Sequence, residues 1–318
     1  MKAAAMAAPQ KFEIVDKQIP EITSDQLLIR VIACGICMSE YPRWNEGRQT
    51  GEVFGHEPVG VVEKTGTNIK DFKKGDRVSG LFRHAFAEYT IANPALVIKL
   101  PDEVSDLEGI LEPWSCLVSG AERILMDLGS SVALVGCGYM GLGFLQMMKL
   151  RGAGKIIAID IREESLENAR RFGADETYMS DAVPSKYIVD KWDDKIFARG
   201  VDVVVEAGGG ATTLELAGKL VRPHGTLAVV GFHQSGGRRE VDMHLWNWKA
   251  INVINAHERR SSVQMEYFAR AIKLIQAKRL QSREMMTHEY SLVDINRAFW
   301  ELKEKPPGYI KGYIRLSI

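Results

Sequence analysis

Residues 132–141 constrain the fold of this 318-residue chain more than any other stretch. Val132-Ala-Leu-Val is a short apolar strand pattern. It runs directly into Gly136-Cys-Gly-Tyr-Met-Gly141, a G-x-G-x-x-G that opens an apolar helical pattern. The next strand pattern, Ile156–Ile159, ends at Asp160, about 20 residues beyond the last glycine. With 29 glycines in the chain a chance match is easy, so the strand–turn–helix context carries the reading. Gly136 allows a tight turn, Gly138 lets backbone approach a pyrophosphate, and Gly141 allows close helix–strand packing. Tyr139 and Met140 sit at the helix N-terminus, which favours an anionic group. Asp160 is placed to accept hydrogen bonds from an adenosine ribose, and its charge repels a 2′-phosphate. NAD is therefore expected over NADP, with Arg162 the residue able to soften that preference by meeting a phosphate. The competing reading is a glycine-rich turn in a parallel sheet that holds no ligand.

The rest of the chain places this unit. The first 110 residues read as short strands: Leu27–Ala33, Val59–Glu63, Arg77–Ser79, Ala85–Ile91 and Ala95–Leu100, with a sharp turn expected within Val53–Val62 at Gly55 and Gly60. From about Glu112, strands and helices alternate through Gly141–Leu150, Glu164–Phe172, Val201–Val205, Thr212–Leu220 and Thr226–Val230, the signature of a parallel sheet with crossover helices. After about Ala256 come two helical patterns, Met265–Ala277 and Val293–Lys303, and a last strand, Tyr309–Leu316, able to return to the first region. The fold class is α/β.

Lys+Arg and Asp+Glu each number 41, so the net charge is zero and no cationic surface for a nucleic acid is expected. Four cysteines do not make a disulfide framework. The most apolar window, Val132–Met148, is shorter than the about 20 residues of a membrane span and is broken by glycines. No secretory signal is evident, because Pro9 and Lys11 end the short N-terminal apolar run. A cytoplasmic protein with reduced thiols is expected, with a small-molecule substrate and no nucleic-acid or membrane partner.

A second constellation comprises Cys37, His56-Glu57 and Glu112, since thiolate, imidazole and carboxylate all suit zinc. Each has another use taken singly. Cys37 serves as a core thiol, Glu112 as a helix cap near Pro113, and a lone histidine is usually a satisfied one. Cys34-Gly-Ile-Cys37 is not half of a zinc finger, because no second pair exists.

Further motifs are Ala33-Cys-Gly-Ile-Cys-Met-Ser-Glu40, Gly55-His-Glu-Pro-Val-Gly60, Gly75-Asp-Arg-Val78, Leu100-Pro-Asp102, Glu112-Pro113 and Val201-Asp-Val-Val-Val-Glu206. With the glycine fingerprint, and over nearly the whole chain, they resemble the zinc-dependent medium-chain dehydrogenases of the alcohol dehydrogenase type, in particular the polyol, sorbitol-like branch. The resemblance implies a GroES-like β-rich catalytic domain interrupted by a Rossmann doubly wound domain, with segments 1–116, 117–255 and 256–318 and the active site in the cleft between domains. It implies Cys37 and His56 as zinc ligands, Glu57 as a ligand or close neighbour, Glu112 as the acidic or exchanging ligand, and Ser39 as the hydroxyl that takes the alcohol proton. It also implies a homodimer or homotetramer joined through Ile251-Asn-Val-Ile254.

Three departures stand out. Only Ser-Gly-Leu-Phe-Arg-His lies between Val78 and Ala85, so the four-cysteine lobe of many relatives is missing and one zinc per chain is expected. Glu40 stands where an aspartate is usual, and Pro42 where relatives often carry a relay histidine. The expected activity is NAD-dependent oxidation of a secondary alcohol: a polyol, sugar, cyclitol or sugar acid. Arg43 and Trp114 are expected to border the substrate, the arginine by selecting an acidic group, although a solvated loop charge is its plainer use. Competing readings are a zinc-free reductase of the same fold, a lyase or epimerase using transient oxidation, and a non-catalytic NAD-binding relative.

Overall fold

Burial, more than propensity, makes the first strands. In the computed structural model, described for residues 1–193, 195–233 and 237–316, β1 (Lys2–Ala8) and β2 (Lys11–Asp16) form an antiparallel hairpin. Alanine is a poor strand former, yet Ala3 and Ala4 are fully buried. Next come β3 (Leu27–Gly35), α1 (Tyr41–Glu46), β4 (Glu57–Thr65), β5 (Arg77–Gly80), β6 (Tyr89–Ala92), β7 (Val97–Lys99) and α2 (Glu112–Arg123). The turn expected within Val53–Val62 occurs at Gly55, whose φ of +98° suits glycine, but not at Gly60. Gly60 lies inside β4, at a bulge against β3, where a Cβ would come 2.5 Å from the Arg30 carbonyl oxygen. The Ala95–Leu100 pattern also splits, into a 3₁₀ turn at Pro94–Leu96 and the short β7.

The alternating region forms a six-stranded parallel sheet among the described residues. Its elements are β8 (Ser131–Val135), α3 (Tyr139–Leu150), β9 (Lys155–Asp160), α4 (Glu163–Phe172), β10 (Glu176–Met179), β11 (Val201–Glu206), α5 (Ala211–Leu220), β12 (Val221–Val229), α6 (Met243–Trp248) and β13 (Asn252–Asn255). The order β10-β9-β8-β11-β12-β13 reverses between β8 and β11. That reversal opens a crevice at the carboxyl ends of the strands, where such sheets bind ligands. Ala133, Val135, Ile157, Val204, Leu214 and Leu227 are in its core.

The chain then adds α7 (Ser261–Gln276), β14 (Met286–Ser291), α8 (Ile295–Glu304) and β15 (Lys311–Arg315). β15 pairs antiparallel with β3, so the last strand joins the sheet of the first segment, in the order β14-β15-β3-β4-β5-β7 with β6 also on β3. A shared core of Phe12, Trp44, Phe86 and Phe299 ties the segments together, with ring centroids of Phe12–Phe299 at 5.0 Å and Trp44–Phe299 at 5.4 Å. By contact density the chain divides into two units, Met1–Cys116 with Arg259–Ile318, and Leu117–Glu258. Ser317 and Ile318, the end of the expected return segment, lie outside the described residues. No helix among the described residues is long and apolar enough to cross a membrane.

Candidate active site

The pairing of β3 with β4 builds the metal constellation. Gly35 sits opposite Glu57 in that ladder, so the chain leaving β3 at Cys37 faces the chain entering β4 at His56. One donor atom each from Cys37, His56 and Glu57 lies within 4.8 Å of the others. Gly35 makes room for this: a Cβ there would fall 2.0 Å from Glu57 Oε2. His56 Nδ1 lies 3.0 Å from Glu40 Oε1, on a glutamate that is 1% exposed. The same oxygen accepts the Gly55 N–H at 2.8 Å. A neutral imidazole must then carry its proton on Nδ1, which turns Nε2 toward the other donors. Ser39 Oγ is 3.5 Å from that Nε2.

The electrostatics of the site favour a cation. Burial works against a charged His56, but Glu40 and Cys37 more than offset it and hold the imidazole well above its ordinary value. Burial likewise disfavours the Lys311 ammonium, and Glu57 with Cys37 outweighs it. Lys311 Nζ donates to Glu57 Oε1 at 2.8 Å and stands 2.6 Å from Oε2. Oε2 is buried and accepts no hydrogen bond. A cysteine sulfur, an imidazole and a carboxylate that converge in this way form a donor set that fits zinc.

Glu112, the first residue of α2, is not within that 4.8 Å radius of all three donors. It does stand in their field. Burial raises its pKa, Glu57 reinforces the rise, and His56 and Lys311 oppose it. Cys116, one turn along α2, lies 3.6 Å from Glu112 Oε1, with its Sγ 3.2 Å from Gln264 Nε2. Sequence reading missed Gln264 and Lys311, which lie far along the chain and carry no local motif.

The two substrate expectations fare differently. Trp114 is 1% exposed, so it offers no open face to a substrate and is corrected to a core residue. Trp44, next to Arg43 in the chain, is fully buried in the aromatic core. Arg43 remains part exposed. It donates to Gln49 Oε1 at 2.9 Å and lies 4.7 Å from the centre of the Phe54 ring.

In the parallel sheet, the fingerprint residues lie where β8 turns into α3. Gly136 has φ +97° and runs so close to the Gly208 nitrogen that a Cβ would approach to 2.9 Å. Gly138 is exposed, and a Cβ there would meet nothing within 4 Å. Gly141 packs so that a Cβ would reach the Gly136 carbonyl oxygen at 1.9 Å. Tyr139 is buried and Met140 half-buried. Asp160 Oδ2 accepts the Cys137 N–H at 2.7 Å, which brings its carboxylate over the glycine turn. Arg162 donates its N–H to Asp160 Oδ1 at 3.0 Å and aims its guanidinium at Ser165 Oγ, 2.6 Å away.

A second glycine-rich turn, Gly208–Gly210, joins β11 to α5, but the chain fills that helix N-terminus itself. Glu206 Oε1 accepts the Gly209 N–H at 2.7 Å and the Thr213 hydroxyl at 2.6 Å. At the turn before α3, the Asp160 carboxylate takes the Cys137 N–H, and Gly138 stays exposed. Its open face at Gly138 therefore fits a dinucleotide pyrophosphate.

Comparison with known proteins gives concordant results. Residues 23–102 match the model of the alcohol dehydrogenase GroES-like domain, and residues 140–277 that of the zinc-binding dehydrogenases. The chain is 30% identical to sorbitol dehydrogenase of Bacillus subtilis, over 73% of this chain and 75% of that one. It is 27% identical to D-xylulose reductase of Saccharomyces cerevisiae, over 98% and 97%. It is 29% identical to an NADP-dependent isopropanol dehydrogenase of Thermoanaerobacter brockii, over 100% of both. The alcohol dehydrogenase of Thermus sp. ATN1 shares the fold, with a TM-score of 0.84 at 24% identity over 100% of both chains.

Proposed function

The chain belongs to the zinc-type medium-chain dehydrogenases and is an oxidoreductase of the alcohol and polyol kind, and from that premise we propose NAD-dependent, zinc-dependent oxidation of a secondary alcohol on a polyol, sugar, cyclitol or sugar acid. The observation that carries the reading is the convergence of Cys37, His56 and Glu57 beside Ser39.

Cys37, His56 and a carboxylate, Glu57 or Glu112, would hold the zinc, and Glu40 would hold His56 Nδ1. Bound zinc supplies Lewis acidity that makes an alcohol hydroxyl easier to deprotonate. Ser39 is placed to take that proton, and Pro42 leaves the onward path to solvent or a ribose hydroxyl. The glycine turn and Asp160 would hold the dinucleotide, which would supply the hydride-accepting chemistry. Asp160 favours NAD, because a 2′-phosphate would meet its carboxylate, and Arg162 is already engaged with Ser165. The resemblance to polyol dehydrogenases supports the substrate class, and a part-exposed Arg43 supports an acidic substituent. The edge strand β13, where Val253 is 46% exposed, supports assembly as a homodimer or homotetramer.

NADH formation over a panel of polyols, sugars, sugar acids and short n-alkanols tests this. The expected result is kcat/KM for the best polyol or sugar well above that for ethanol. Equal values would remove the substrate class.

A further inference from the structure

The first turn of α2 is held by a segment far away in the chain. Glu112, Ser115 and Cys116 stand at i, i+3 and i+4, on one face of the helix. Ser115 is fully buried, and its hydroxyl donates to the Glu112 carbonyl oxygen at 2.6 Å. The Cys116 thiol donates to Glu112 Oε1 at 3.6 Å, sulfur being the larger and weaker donor. Gln264, in the first turn of α7 and 9% exposed, brings its amide against both. Its Nε2 lies 3.1 Å from Ser115 Oγ and 3.2 Å from Cys116 Sγ. Ser115 and Cys116 have each spent their proton on Glu112. Both therefore present lone pairs, and the amide end that faces them is the NH2 donor. Donation runs one way, from Gln264 to Cys116 to Glu112 Oε1. Held like this, Glu112 stays outside the group formed by the donor atoms of Cys37, His56 and Glu57.

We propose that Gln264 is a positioning residue: through Cys116 it holds the Glu112 carboxylate by its Oε1 and keeps it off the metal, which leaves a coordination position for the alcohol. The inference rests on the zinc reading above, and it assigns Glu57 rather than Glu112 as the resting carboxylate ligand. A carboxylate beside a divalent cation is itself a good ligand, and an open position is what separates a catalytic zinc from a structural one. The tether on Glu112 Oε1 decides between the two. The Gln264 amide fixes the thiol from its far side, so the S–H keeps pointing at Glu112, as outer partners commonly orient the groups around a metal.

The test uses the zinc protein and its cobalt-substituted form, with imidazole as the probe of an open metal position. In the unmodified chain, imidazole is expected to bind the cobalt and shift its visible absorption bands. Cys116→Ala and Gln264→Met release Glu112 onto the metal. Each is expected to raise the imidazole Kd about tenfold and to tighten zinc about tenfold in competition with a chelator. Cys116→Ser, which keeps a donor for Glu112 and an acceptor for Gln264, is expected to stay within about twofold of the unmodified chain. Adding Glu112→Gln to Cys116→Ala is expected to reverse both effects, because the competing carboxylate is gone. Unchanged imidazole affinity in both single variants would overturn the inference. So would weaker zinc binding in them, since Glu112 would then be a ligand that the relay helps to bind. A loss of imidazole binding that Glu112→Gln fails to reverse would overturn it too, as general damage to the site. If the unmodified chain holds neither zinc nor cobalt, the zinc reading itself falls, a result distinct from these.

Discussion

His56 shows how a single side chain is set from both ends: Glu40 receives Nδ1, and Nε2 is left for the other donors. Glu40→Ala removes the fixing bond while keeping every proposed ligand. Zinc affinity, measured by competition with a chelator, is expected to fall about 10–100-fold. Unchanged affinity would show that His56 is oriented without Glu40. Asp160 is the second residue with a single decisive atom pair. Asp160→Gly removes the carboxylate that would meet a 2′-phosphate. The unmodified chain is expected to prefer NAD by about tenfold in kcat/KM, about 1.4 kcal/mol, and the variant by clearly less. Equal use of both cofactors by the unmodified chain would show that Arg162 overrides Asp160. Cys37, His56, Glu57 and Asp160 were legible because they sit in short local motifs. Gln264 and Lys311 were not, because only long-range strand return and packing of α7 bring them to Cys116 and Glu57. Trp114 was misjudged because a tryptophan beside a motif looks the same in sequence whether it lines a cleft or fills a core.

The least expected stabilising contact joins elements of the parallel sheet. Lys249, directly after α6, is fully buried and donates to the carbonyls of Val189 at 3.2 Å, Gly218 at 2.5 Å and Val221 at 2.9 Å. It thereby caps the C-terminus of α5, where a positive charge is favourable. Burial lowers its pKa from 10.5 to about 8, and Asp242 and Asp190 oppose the shift. The folded group therefore holds its proton less tightly than the unfolded one. Below about pH 8 both states are charged and the burial cost is present in full. Between about 8 and 10.5 the unfolded chain binds more protons, so this cost is progressively relieved as pH rises. Urea unfolding of the unmodified chain against Lys249→Met at about pH 8 and about pH 10 is the check. The unmodified chain is expected to gain stability relative to the variant at the higher pH, and a relative loss would contradict the assignment. Strand and helix alternation from β8 to β12 was readable from apolar periodicity. β1 was not, since alanines carry no strand signal and only burial against Phe86, Val53 and their neighbours selects it.

At the scale of the molecule, the sequence motifs already implied the sheet that closes only when residues 313–315 of β15 pair with β3. That closure matters for chemistry, because β15 delivers Lys311 to Glu57. Lys311→Met leaves a buried carboxylate without its cation. It is expected to destabilise the chain by about 3–5 kcal/mol in the metal-free state, with a smaller loss when zinc is bound. Thermal unfolding with and without zinc measures the difference, and an equal loss in both states would show that Glu57 does not face the metal.

The most direct test of the central claim is zinc content and alcohol-dependent NADH formation measured together on the unmodified chain and on Cys37→Ser. The account predicts about one zinc per chain in the unmodified protein, activity lost on chelation and restored by zinc, and neither zinc nor turnover in Cys37→Ser while NADH still binds. Full activity in protein shown by elemental analysis to hold no metal would contradict it.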